Sequence, residues 1–250
     1  MASSSKLLVA ILLTLALAST LSVRADDIEA PATRLDTGSD TGSDTTSATA
    51  PETSPETTPD TGAAEIPAEF NWQNVITAFD RDRLARLNEA VALGNEESYA
   101  ASATIGERAA FHRVMNTPTK PVDDAKLIGW WACRTIKVGG KFAGLVVYSW
   151  FDCRISVRKG FLFLEKRSGS QRLSGRLYQD GPERRILLAA PTYNDEPQRD
   201  YSGPHGGITD PQIQDKLGVL QELEDGRLRL LFPWSVLEST YDILELKRAE

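Results

Sequence analysis

The chain has few of the residues that carry most enzyme chemistry. Its 250 residues include two histidines, two cysteines and two methionines. Two cysteines exclude a disulfide-dense mini-protein and a cysteine-rich zinc module. No Gly-x-Ser-x-Gly elbow occurs, no His-Glu-x-x-His, no phosphate-binding Gly-Lys-Ser/Thr loop and no calcium loop, so four common routes to catalysis or metal binding lack their residues. No apolar run reaches the roughly 20 residues that a membrane-spanning helix needs. A hydrophobic fraction of 41% nevertheless excludes a wholly disordered chain.

An excess of charge is missing too, except in one place. The formal net charge is −7. Residues 26–66 hold ten acids and one base, a local charge of −9, whereas residues 67–250 hold 25 acids and 25 bases. The folded part is therefore neutral and has no global field to attract a polyanion, which argues against nucleic acid as a partner. The basic cluster Lys166, Arg167, Arg172 and Arg176 reads as a solvated face.

The first 25 residues read as an export signal. Lys6 precedes the twelve-residue apolar run Leu7–Ala18, and Val23-Arg24-Ala25 offers small residues three and one before a cut near Ala25. The mature chain is then expected in the periplasm or secreted, without stable membrane insertion. Residues 26–66 are rich in Asp, Thr, Ser, Glu and Pro, with Ile28, Leu35 and Ile66 as the large apolar residues. Such a segment cannot offset its ordering entropy and reads as a disordered linker. Its Asp-Thr-Gly triplets, at 36–38, 40–42 and 60–62, match the aspartic-protease triplet. That chemistry needs two rigidly held carboxylates, and repetition in a spacer is the simpler origin.

Residues 67–127 read as a helical extension that packs on the sheet. Thr77 to Asp80 resembles a capped start, Leu84, Leu87 and Val91 share one helical face, and Gly94-Asn95 reads as a stop. Glu107 to Met115 reads as a second helix.

Residues 128–250 read as an eight-stranded antiparallel meander, so the fold class is mainly β with an N-terminal helical segment (α+β). Strands are expected near 128–138, 145–158, 161–166, 172–178, 185–190, 216–223, 227–232 and 241–247, with Asp180-Gly181 and Asp225-Gly226 as hairpin signals. Eight sequential strands must hide their edges, and closure into a small barrel does so. An open sheet packed on the helices is the alternative. Gly129-Trp130-Trp131 has the Gly-x-Trp form, which resembles the first strand of calycin (lipocalin-like) barrels. That resemblance implies that Trp131 plugs one barrel end under a basic residue near the last strand, for which Lys247 and Arg248 are placed.

Cys133 and Cys153 fall in the first two strands. Pairing them directly across a hairpin centres the turn on Ala143, inside the Gly139–Gly144 turn signal. A structural disulfide is the expectation, closing a loop of about 20 residues worth about 3 kcal/mol.

No catalytic, cofactor or metal residue set emerges. Ser156 to Lys159 matches Ser-x-x-Lys but runs down a strand. His112 lies in the helical part. His205 lies in the long loop 191–215, near Asp195, Asp200 and Asp210, and is the weak candidate for a loop site.

The stretches Cys133–Gly139, Trp150–Ile155, Gly169–Arg172 with Gly175–Tyr178, Gly218–Gln221 and Asp242–Leu246, together with Trp72 and Asp80–Leu84, resemble the bacterial domain of unknown function 4893 family over about residues 68–248. The resemblance implies an exported bacterial protein with both cysteines in the fold, and implies no catalytic residue. The expected function is a non-catalytic binding or interaction module of the cell envelope, with a small apolar ligand or an envelope protein as partner. The alternatives are an envelope enzyme using His205 at a barrel mouth, and a purely structural envelope protein.

Overall fold

The computed structural model describes residues 68–140, 144–206 and 214–249. The expected signal peptide 1–25 and linker 26–66 lie outside the described residues, as does Asp210. A 3₁₀ turn (Ala68–Phe70) leads into α1 (Trp72–Val75), α2 (Ala78–Ala85), α3 (Leu87–Tyr99) and α4 (Ile105–Asn116). Strand β1 (Thr119–Lys120) and α5 (Asp124–Leu127) come next. The strands β2 (Gly129–Gly139), β3 (Gly144–Val147), β4 (Phe151–Arg158), β5 (Phe161–Lys166), β6 (Gln171–Gln179), β7 (Arg185–Tyr193), β8 (Lys216–Leu223), β9 (Leu228–Pro233) and β10 (Tyr241–Arg248) complete the fold.

The two longer capped helices start where a side-chain oxygen can accept an otherwise unpaired backbone N–H. Thr77 caps α2 by accepting from the Asp80 N–H at 3.0 Å. Thr104 and Glu107 form a capping box at α4. The expected continuous face of Leu84, Leu87 and Val91 is instead split by a break at Arg86, between α2 and α3. Leu84 packs on the cluster around Ile186 and Leu217, and Val91 on the cluster around Ile136 and Tyr241.

Gly94-Asn95 does not stop a helix either; both residues lie within α3. A β-carbon at Gly94 would sit 2.6 Å from the Tyr241 ring. The Tyr241 hydroxyl donates to Asn95 Oδ1 at 2.6 Å. Glycine here permits the helix to approach the sheet, and asparagine satisfies the buried phenol.

The strands close into an eight-stave antiparallel barrel in the order β2, β4, β5, β6, β7, β8, β9 and β10, with β10 returning to β2. The expected second strand is interrupted at Tyr148–Trp150, so β3 and β4 both pair with β2. Ile136 lies opposite Val147, whereas Cys133 lies opposite Phe151. The pairing thus slips by one residue across the interruption, as in a bulge. Short β1 adds to β8 outside the ring.

Strand parity sorts the side chains. Trp131, Cys133, Cys153, Ile155, Leu164, Leu187, Leu220, Leu230 and Leu246 fill the barrel interior. Ile136, Val138 and Ile243 face outward and are covered by α3 and α4 through Ala90, Phe111 and Val114. We call the end near Trp131 the lower end and the end near Lys137 the mouth.

Candidate functional site

The lower end is sealed. Trp131 is 2% exposed, and its indole N–H donates to the Leu127 carbonyl at 2.8 Å. The Arg248 guanidinium lies 3.9 Å from the ring centroid, a cation–π contact. Gly129 has φ +137°, and a β-carbon there would meet Arg248 Nη1 at 2.9 Å. Gly-x-Trp therefore performs two jobs: the glycine makes room for the arginine, and the tryptophan receives it. Lys247 stacks instead on Trp150, at 5.2 Å.

The disulfide forms between Cys133 and Cys153, with Cα atoms 5.8 Å apart and both residues fully buried. The two are not directly opposite, as direct hairpin pairing would have them. Cys153 lies opposite Trp131 and Cys133 opposite Phe151, so the bond runs diagonally between inward-facing neighbours. The hairpin register is the physical reason: Gly139 pairs with Gly144, which would put Cys133 opposite Trp150, and the slip at Tyr148–Trp150 moves it by one residue to Phe151, giving Cys153 the same inward parity as Cys133.

The mouth differs. The inward rows of β2, β5 and β8 each end there in a lysine. Lys137 comes after Trp131, Cys133 and Thr135. Lys166 comes after Leu162 and Leu164. Lys216 precedes Gly218 and Leu220. All three line one cavity of about 90 Å³, together with Arg172, Leu173, Pro191, Phe232 and Asp242. The link from Ser235 to Ser239 borders it. That link is pinned on one side by Trp234, whose indole N–H donates to the Arg86 carbonyl at 3.2 Å.

The three ammonium groups are not equivalent. Lys137 pairs with Glu238 and lies opposite Asp242 across the β2–β10 ladder. Burial opposes its charge, but Asp242 and Glu238 outweigh burial and hold its pKa above the usual lysine value. Lys166 donates to the Ser168 carbonyl at 3.0 Å and the Gln171 carbonyl at 2.6 Å. It also lies 4.3 Å from the Phe151 ring centroid. Burial, and then the neighbouring Arg172, push its pKa down to about 8. Lys216 makes no hydrogen bond or ion pair among the described residues. Burial lowers its pKa, with Arg83 and Lys137 adding to the effect and Asp242 opposing it. Arg172 Nε is also buried without an acceptor.

A second polar cluster is buried but complete. Asp80 and Arg83 pair at 1% and 3% exposure, and the Tyr201 hydroxyl donates to Asp80 Oδ2 at 2.6 Å. Asp215 accepts from Arg199 at 2.9 Å and from the Ser202 N–H at 3.0 Å. Arg83 donates to the Asp215 carbonyl at 3.0 Å. Each carboxylate oxygen has its donor, so this network ties α2 to the Tyr201–Ser202 segment and the start of β8.

The structure does not assemble a site around His205. His205, Asp195 and Asp200 are exposed, and His205 makes no hydrogen bond or ion pair among the described residues. His112 is exposed on α4 and tilts against Phe111 at 5.4 Å. Ser156 and Lys159 sit on β4 and the turn after it, with Ser156 Oγ unpartnered. Among the described residues no group of three or more His, Cys, Asp or Glu is placed to hold a metal. Sequence reasoning misses the mouth lysines because Lys166 reads as part of a solvated cluster. The usable signal is parity: each lysine sits two residues beyond an inward-facing position.

A family model described as a domain of unknown function (DUF4893) matches residues 72–246. No curated protein matches the chain. Among solved structures, a redesigned beta barrel is similar over 50% of this chain and 94% of its own, at 11% identity and a TM-score of 0.34. Among the described residues no helix is long and apolar enough to cross a membrane.

Proposed function

The chain belongs to the DUF4893 family, whose description names no activity, and we propose that it is an exported, non-catalytic binding module of the cell envelope whose binding end is the barrel mouth. One observation carries the reading. Lys216 stands half-buried in a part-enclosed cavity with no ion-pair partner among the described residues, beside Arg172 Nε, which is buried without an acceptor. An unpaired desolvated charge is costly, and a ligand at the mouth relieves that cost.

Export is supported by the leader-like residues 1–25 and by the buried disulfide, a bond that persists in oxidising compartments. The barrel interior argues against a small apolar ligand held deep inside. It is filled by leucines, Trp131, Phe232 and the disulfide, and the mouth cavity is well under the ~300 Å³ of an ordinary ligand pocket. A bound molecule must therefore be small or sit partly outside. The same filled interior favours the second reading, a purely structural envelope protein.

Native and denatured mass spectra of the chain purified from an oxidising compartment separate the two. An adduct present only in the native spectrum is the expected result. A bare mass in both, with no thermal stabilisation by small anions or alcohols, would leave the structural reading. The denatured mass also reports cleavage near Ala25 and the loss of two hydrogens at the disulfide.

A further inference from the structure

We infer that the barrel mouth takes a small organic carboxylate, with its head on Lys216 and Arg172 and its short apolar body against Phe232 and Leu237. The inference rests on the reading of the mouth as the binding end.

Two cations on one cavity have donors to spare: Arg172 Nε is buried without an acceptor, and the half-buried Lys216 ammonium has no hydrogen bond or ion pair among the described residues. Elsewhere on Arg172, Nη2 donates to the Asn194 and Glu196 carbonyls. A buried donor without an acceptor is costly, more so when charged, so Arg172 Nε marks where an acceptor is missing. The charge count agrees. Lys137, Lys166, Lys216 and Arg172 face the carboxylates of Glu238 and Asp242, which leaves two positive charges in excess. Glu238 is already engaged by Lys137, and Asp242 accepts from the Ser239 hydroxyl at 2.5 Å.

Size and wall chemistry narrow the ligand. A cavity of about 90 Å³ matches the liquid volume of about three waters, enough for a carboxylate and a short chain. Leu173, Pro191, Phe232 and Leu244 form its apolar walls, which penalise a compact dianion such as phosphate more than a monoanion with a carbon body. Leu237 is 49% exposed beside the opening, in reach of the part of a ligand that protrudes.

The test uses the oxidised full chain with four probes: butyrate, butanol, butylamine and inorganic phosphate. Ligand-observed NMR and calorimetry give the affinities. Butyrate is expected to bind, and both butanol and butylamine to bind at least about ten-fold more weakly, the worth of one charge-assisted hydrogen bond. Lys216→Gln and Arg172→Gln are each expected to weaken butyrate by about ten-fold or more while leaving butanol unchanged. Leu237→Asp is expected to weaken both. Equal binding of butyrate and butanol, still lost in Leu237→Asp, would overturn the carboxylate assignment and leave the mouth as the binding end. Binding of phosphate in preference to butyrate would overturn the assignment as well. Binding that ignores all three substitutions, or no binding of any probe, would overturn both readings.

Discussion

At the lower end of the barrel a tryptophan and an arginine meet across paired strands, and the Trp131 indole N–H and the Arg248 guanidinium each have a partner. At the mouth, a few residues further along the same β2 ladder, lysines enter the barrel and Lys216 has none among the described residues. The two ends share strands, parity and neighbours, so the difference lies in what ends each inward row. An aromatic ring accepts a guanidinium on its face and keeps it partly hydrated at the rim, as Arg248 does on Trp131. Lys216 makes no such ring contact among the described residues, although Phe232 lines the same cavity. One end uses its residues for closure. The other keeps an unmet charge, which a stability optimum would have removed.

The largest expected effect breaks the sealed end. Trp131→Ala removes the plug and leaves Arg248 without its ring. A loss of about 3–5 kcal/mol is expected, read as a lowered urea midpoint. Replacing Cys133 and Cys153 together by Ala should cost about 3 kcal/mol by the chain-entropy argument, checked by the same titration. If both changes cost under about 1 kcal/mol, the lower end is not the stabilising one.

At the mouth the sign reverses. Lys216→Met replaces a desolvated charge by an apolar chain of similar length, and a gain of about 1 kcal/mol is expected. A loss would mean that Lys216 has a partner after all.

The pH dependence sharpens the contrast. Lys166 faces Arg172, the Phe151 ring and the Ser168 and Gln171 carbonyls. Lys216 faces Asp242, Asp80, Arg83 and Lys137. Both folded-state pKa values lie below the unfolded one, Lys166 at about 8. For Lys166 the penalty of holding the charge is full below pH 8 and is relieved as pH rises toward about 10.4, where the unfolded chain releases the same proton; Lys216 acts in the same direction. Stability should therefore rise from pH 8 to about pH 10. Above that, Tyr201 and Tyr241, whose phenols burial keeps protonated, turn the curve down. Lys216→Met should flatten the rise. The smallest effect is expected for His205→Ala, within about 0.5 kcal/mol and without change in butyrate binding.

Much of this architecture was legible in the residues. The eight staves and the Asp180-Gly181 and Asp225-Gly226 turns follow from alternation and turn chemistry, which are local, and the Trp131 plug was implied by the resemblance of Gly129-Trp130-Trp131 to a calycin first strand. Two features were not. The turn signal Gly139–Gly144 does not say which residues close the hairpin, and the slip at Tyr148–Trp150 carries no Gly or Pro to announce it, so a direct cross-strand cysteine pair was as consistent with the sequence as the diagonal one. Gly94 looks like a helix stop because its actual neighbour, Tyr241, is 147 positions away in the chain. The Asp80–Arg83–Asp215 network is long-range in the same way. The mouth lysines lie between these cases: parity places them inward, but their charge suggests outward, and composition alone favours the wrong choice.

The position of the disulfide also sets an order of events. Neither sulfur is accessible while the staves are joined. An oxidant must therefore act before the ring closes, and a reductant must wait until it reopens. When reduction is immediate at each opening, the rate of thiol appearance becomes the opening rate of the barrel. The bond then serves as a built-in clock for a motion that leaves no other chemical trace.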